Sequence, residues 1–183
     1  MINLKNDYCA IAHPKVLTRL IELNDQTFVG YGLDEYSKKA EDFVREMIKC
    51  ENCDVHFLVG GTITNKVIIS HSLKSYEAVI SADTGHINVH ETGTIEQSGH
   101  KVLTVPNVLG KVQVSDLANI VKLHSDEHMV KPKMVYISNS TEFGTVYKYN
   151  ELLEISNFCK ENNLYFFMDG ARLGAALASK ECD

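Results

Sequence analysis

The hydrophobic pattern changes once along the chain. In the first fifty residues apolar positions recur at helical spacing: Val16, Leu17, Leu20, Ile21 and Leu23 after Pro14, then Ala40, Phe43, Val44, Met47 and Ile48 after Asp34. Pro14 opens a helix to about Leu23, and Asp34 or Ser37 starts the next. From residue 54 short apolar runs alternate with helical stretches. Val55–Val59, Ala78–Ser81, Lys101–Val105, Lys133–Ile137 and Leu164–Met168 read as strands. Helices are expected over Thr62–Leu73, Val89–Thr94, from a Ser115-Asp116 cap to about His124, over Asn150–Asn162 and from Ala175. Leu164-Tyr-Phe-Phe-Met168 is too short for a helix and reads as a strand buried on both faces. Repeated β then α units predict an α/β fold, a mainly parallel sheet with helices on both faces. The division is a helical segment, 1–50, followed by a sheet domain, 51–183.

Composition narrows the function. The 183 residues carry 44% hydrophobic and 23% charged residues and a net charge of −6. No basic stripe suits a nucleic acid, and no apolar run approaches membrane-spanning length. Met1-Ile-Asn-Leu-Lys-Asn6 lacks the regions of a signal peptide, so a cytoplasmic protein is expected. The five cysteines show no framework spacing and are read as thiols; Cys50-Glu-Asn-Cys53 lacks the second ligand pair of a zinc site.

In a parallel sheet the C-terminal strand ends share one edge, where ligands bind. Four such ends carry glycine or polar residues: Gly60-Gly61-Thr62, Asp83-Thr-Gly-His86, Ser138 to Glu142, and Asp169-Gly-Ala-Arg172. Gly60-Gly61-Thr62 opens a helix whose free N–H groups suit a phosphate, or Thr62 simply caps it. His86 can stack on a flat ligand or move a proton, or lie on the surface. Asp169 ends an apolar run and either faces a cation in the crevice or caps the next helix. A phosphatase-like reading of Asp169 lacks a second Asp at Ala171. A phosphate cradle, a stacking imidazole and a carboxylate together describe a pocket for pyridoxal 5′-phosphate.

These residues resemble a known family. Phe167-Met-Asp169-Gly-Ala-Arg172 is similar to the Asp-Gly-Ala-Arg signature of low-specificity threonine aldolases, in the aminotransferase-like (fold type I) superfamily. Gly60-Gly61-Thr62-Ile-Thr-Asn65 resembles the family's phosphate-binding turn. Ala82-Asp83-Thr-Gly-His86, with Glu91 downstream, resembles the segment of its stacking histidine. Tyr31-Gly32-Leu-Asp34 and Leu4-Lys5-Asn6-Asp7 resemble two further family segments. The resemblance implies that Gly61 and Thr62 bind the phosphate, that Asp169 pairs with the pyridine nitrogen, that Arg172 binds near the cofactor and the substrate carboxylate, and that Asn6 binds the substrate. His86 would stack on the ring and act in proton transfer. Thr141 or Glu142 stands where many members have a second histidine.

The implied activity is retro-aldol cleavage of a β-hydroxy amino acid to glycine and an aldehyde. The implied partners are a small amino-acid substrate and further copies of the chain, as a dimer or tetramer. The family's Schiff-base lysine falls beyond Asp183, so the chain is expected to be a fragment, inactive alone. The alternatives are a β-eliminating lyase on another amino acid, or a non-catalytic paralogue that joins a full-length homologue.

Overall fold

The computed structural model describes residues 6–180. Leu4, Lys5 and Asp183, named above, lie outside them. The chain divides into two compact units, Met1–Phe57 and Leu58–Asp183.

In the first unit, helix α1 spans Pro14–Glu22 and α2 spans Glu35–Ile48. Each start has a local cause. His13 Nδ1 accepts from Lys15 N at 3.2 Å, and Pro14 has its φ already set for the first turn. Asp34 Oδ1 accepts from the N–H groups of Tyr36 and Ser37 at 2.9 Å each, filling two of the orphan donors of α2. Lys49 in the left-handed region (φ 53) ends that helix. No residue of either helix is buried.

The expected strand at Val55–Val59 is not formed. A strand needs a neighbour for its N–H and C=O groups, and among the described residues none pairs with this run. Val59 is 93% exposed.

The second unit holds α3 (Gly61–Ser72), β1 (Glu77–Ala82), α4 (His86–Val89), α5 (Thr94–Gln97), β2 (Val102–Val105), α6 (Val114–Leu123), β3 (Lys131–Ser138), α7 (Tyr149–Glu161), β4 (Tyr165–Asp169) and α8 (Leu173–Ala178). The order is β2-β1-β3-β4 and every pairing is parallel. Strand alternation sorts the sheet into two apolar faces. Ala78, Ile80, Ala82, Val135 and Ile137 pack with Leu117 of α6 and with Ile155 and Phe158 of α7. Val79, Met134 and Tyr136 face Ile69 of α3, Ile87 of α4 and Ile95 of α5. Helices therefore cover both faces, as the β–α alternation requires.

Three local expectations change. Instead of one helix over Val89–Thr94, α4 ends at Val89 and α5 begins at Thr94, with Thr92 (φ 55) and Gly93 (φ 70) breaking the path between them. Ser115-Asp116 does not cap α6; Gln113 occupies the cap, and its side chain makes no capping bond. The run ending at Asp169 packs on both faces, with Phe166 and Met168 toward one core cluster and Phe167 toward the other, but it is only partly buried. Among the described residues β4 pairs with β3, whereas β1 lies between two neighbours and is buried throughout.

Candidate active site

The strand order reverses around β1: the chain leaves it for β2 on one side, then returns to β3 on the other. The loops after β1 and β3 therefore part at their C-terminal ends, which opens a crevice. A cleft is found there, in the second unit. Gly61 and Asn65 of α3, His86 and Glu91 after β1, Ser138, Ser140 and Glu142 at the end of β3, and Asp169, Ala171 and Arg172 after β4 all line it.

Asp169 is the last residue of β4, level with Ser138 of β3. The backbone behind it is tied down, since Asn139 N donates to Asp169 O at 2.9 Å and Tyr147 N donates to Asn139 Oδ1 at 3.1 Å. Its carboxylate takes three donors. Tyr136 Oη donates to Oδ2 at 2.8 Å, Asn65 Nδ2 donates to Oδ2 at 3.1 Å, and Ala171 N donates to Oδ1 at 2.9 Å. A carboxylate offers about four lone-pair sites, so roughly one remains for a ligand. Burial and the neighbouring Asp169 charge push the Tyr136 hydroxyl well above the usual phenol range, which keeps it a donor. The sequence reading had this carboxylate face a cation or cap the next helix. Among the described residues these three bonds come from neutral donors, and the residue at the cap of α8 is Arg172 rather than Asp169.

A second carboxylate lies below the cleft. Glu91 is 3% exposed, and its Oε1 lies 2.7 Å from Asn65 Nδ2 and 2.9 Å from His86 Nδ1. Asn65 thus spends both amide hydrogens, one on each acid, which forces its nitrogen rather than its oxygen toward them. His86 is anchored through its backbone as well, because its N–H donates to Glu142 Oε1 at 2.8 Å and Ser138 Oγ donates to the same oxygen at 2.6 Å. The turn before it is tight: a Cβ on Gly85 would lie 2.1 Å from Ser81 Oγ and 3.0 Å from Ala82 O. The His90 ring stands 5.4 Å from the His86 ring, tilted by 47°.

Gly60 holds the cap position of α3 without a side-chain bond, and Gly61 is the first helical residue. The first-turn N–H groups have no partners within the helix. A Cβ at either glycine would meet no heavy atom within 4 Å, so an anion has open access to those donors. Thr62 is exposed in the same turn and is not among the cleft-lining residues. Thr141 is buried and bonded to Thr145, which leaves Glu142 as the cleft residue of that pair. Asn6 belongs to the first unit, where its Oδ1 accepts from Tyr8 N at 3.3 Å.

Asn65, Glu91 and Tyr136 were not assigned roles from sequence. Two had a legible signal. Asn65 lies four positions after Gly61 on one helix face, and Tyr136 lies two before Ser138 on one strand face. Glu91 had no positional signal, since five positions from His86 match no period and α4 has already ended; only the resemblance of its segment marked it.

Comparison with known proteins places this geometry. The beta-eliminating lyase family matches residues 4–183. A low-specificity L-threonine aldolase of Pseudomonas aeruginosa is 33% identical over 171 residues, covering 92% of this chain and 49% of the relative. A solved Leishmania major threonine aldolase superposes with a TM-score of 0.93 at 47% identity, covering 94% of this chain and 51% of that one. An archaeal alanine:glyoxylate aminotransferase shares the fold, with a TM-score of 0.63 at 16% identity over 84% of this chain and 39% of its own. The chain spans about half the length of the two threonine aldolases, and its sheet and helices have the aminotransferase-like arrangement. It belongs to the beta-eliminating lyase family.

Proposed function

We propose that this chain forms the cofactor-binding part of a pyridoxal 5′-phosphate-dependent lyase that cleaves a β-hydroxy amino acid of the threonine type to glycine and an aldehyde. The observation that carries the reading is Asp169, held by three donors at the strand end and sharing one cleft with His86, Gly61 and Arg172. The donor set fits the cofactor. Gly61 and the N–H groups of the first turn of α3, with the Thr62 hydroxyl beside them, would receive the phosphate. Asp169 would face the pyridine nitrogen, and Tyr136, Asn65 and the Ala171 N–H keep its negative charge in place. His86 would lie against the ring, and Arg172 would take the substrate carboxylate.

When bound, pyridoxal 5′-phosphate supplies an electron sink for the pair released as the Cα–Cβ bond breaks. The chain's own proton work falls to His86, whose Nε2 accepts the β-hydroxyl proton as the C–O bond becomes a carbonyl. Wall groups such as Ser138 and Glu142 orient the hydroxyl for that transfer. The four described cysteines are free, which supports a cytoplasmic location. The exposed apolar faces of α1 and α2, with Ile21 at 76% and Met47 at 80%, support a homo-oligomer, read from its sedimentation mass.

The test is cofactor retention. Wild-type protein and Asp169→Ala are loaded with pyridoxal 5′-phosphate and dialysed, and the retained cofactor is read from its absorbance. Wild type is expected to retain it, and the variant to retain at least tenfold less. Equal loss from both would refute the reading. In the longer protein carrying this sequence, threonine is expected to release acetaldehyde, and release of ammonia without aldehyde would instead show β-elimination.

A further inference from the structure

Glu91 lines the cleft between β1 and β3 from a buried position. Its side chain is fully buried, and its Oε2 has no hydrogen-bond partner. A buried carboxylate is costly unless hydrogen-bonded or paired. Both of its contacts, Asn65 Nδ2 and His86 Nδ1, meet the same oxygen.

We propose that Glu91 is a positioning residue that fixes the tautomer of His86. An ionised carboxylate only accepts hydrogen bonds, so the His86 nitrogen facing it must be the N–H. With its hydrogen committed to Nδ1, His86 in its neutral form carries its lone pair on Nε2. That is the nitrogen on which the proposed hydroxyl-proton transfer depends, and the inference rests on that reading. Three other contacts lock the arrangement. Asn65 holds Glu91 from α3 while also holding Asp169, so the acid that orients the imidazole and the acid at the end of β4 hang from one amide. Glu142 fixes the His86 backbone, and Ser81 against Gly85 prevents the turn from shifting. Carboxylate–histidine pairs elsewhere act in this way, presenting the second ring nitrogen for chemistry.

The test is long-range ¹H–¹⁵N NMR on histidine-labelled protein without cofactor, at about pH 8.5, two units above the usual imidazole value. The His86 signals are identified by their loss in His86→Asn. Wild type is expected to show the Nδ1–H form, the opposite of the Nε2–H form that free imidazole prefers. Glu91→Leu should return His86 to the Nε2–H form, while Glu91→Asp should keep it largely Nδ1–H. A wild-type His86 in the Nε2–H form overturns the proposal, and this readout stands even if Glu91→Leu does not fold. So does a folded Glu91→Leu whose tautomer is unchanged. Because no cofactor is present, the outcome is separate from that of cofactor retention. An Nδ1–H imidazole in a protein that retains no cofactor would refute the proposed function and leave the pairing intact.

Discussion

The amide of Asn65 separates two acids, and replacing it by the isosteric Asp tests that directly. Nδ2 lies 2.7 Å from Glu91 Oε1 and 3.1 Å from Asp169 Oδ2. Asn65→Asp therefore places a third carboxylate within about 3 Å of two others, at a position 2% exposed. At an effective dielectric constant near 20, each like-charge contact at such a distance costs about 5–6 kcal/mol. Taking up one proton is cheaper. Protonating an acid of ordinary value near 3.9 at pH 7 costs about 4 kcal/mol, which bounds the penalty whichever of the three acids binds it. The sign with pH follows. The introduced acid has a folded-state pKa raised above its unfolded value, so the penalty is absent below about pH 3.9 and grows by about 1.4 kcal/mol per unit as the pH rises. At pH 5 it falls to about 1.5 kcal/mol. Asn65→Leu is the control, since it loses the same two donors without adding charge and its cost should be flat with pH. Urea unfolding at pH 5, 6 and 7, followed by circular dichroism because the chain has no tryptophan, gives each difference. An Asn65→Asp no less stable than Asn65→Leu at pH 7, or equally penalised at pH 5 and 7, would refute the reasoning.

Three other substitutions probe the supports of the site. Tyr136→Phe keeps the buried ring but removes the donor to Asp169, at a cost of about 1.5 kcal/mol, the lower end for a bond to a charged acceptor because Asp169 is half-buried; a change under 0.5 kcal/mol in urea would show that water replaces it. Gly85→Ala drives a Cβ against Ser81 Oγ and should cost about 1–3 kcal/mol, with part recovered in the double variant Gly85→Ala/Ser81→Ala, and additive losses would count against the close contact. Burial raises the Glu151 carboxyl, but hydrogen bonds from Lys111 and the Lys148 N–H outweigh it, so its value is lowered when folded. Its stabilisation is present above about pH 4.5 and fades as the pH falls through the folded value. Stability of Glu151→Gln should therefore converge on wild type as the solution is acidified from pH 6 to pH 3, and parallel curves would contradict that.

How far the sequence could be read depended on whether the signal was local. The caps of α1 and α2 are set by residues one to three positions away, so Pro14 and Asp34 marked both starts. The β–α alternation carried the parallel sheet, because only crossovers join parallel strands. His86, Asp169 and Arg172 could be placed on one edge because strand direction alone puts them there, whereas Gly61 lines the same cleft without the expected strand before it. What escaped depends on partners distant in sequence. Val55–Val59 has strand composition but no neighbour among the described residues, and β4 has core composition but is only partly buried there. The bridging role of Asn65 requires Asp169 to be brought back across the whole second unit, which no spacing could reveal.

The strand order that opens the crevice also bears on how the chain folds. Val79 pairs with Val102 after one short excursion, but meets Met134 only once β2 and α6 have been laid down and the chain has doubled back. A loop roughly twice as long costs only about 0.6 kcal/mol more to close, so stability is barely affected. The rate is another matter, because β1–β3 is the seam on which both apolar faces assemble, and its non-local contacts come late. Kinetics should therefore be paced by joining β1 to the β3–α7–β4 unit, with the crevice completed in the same step.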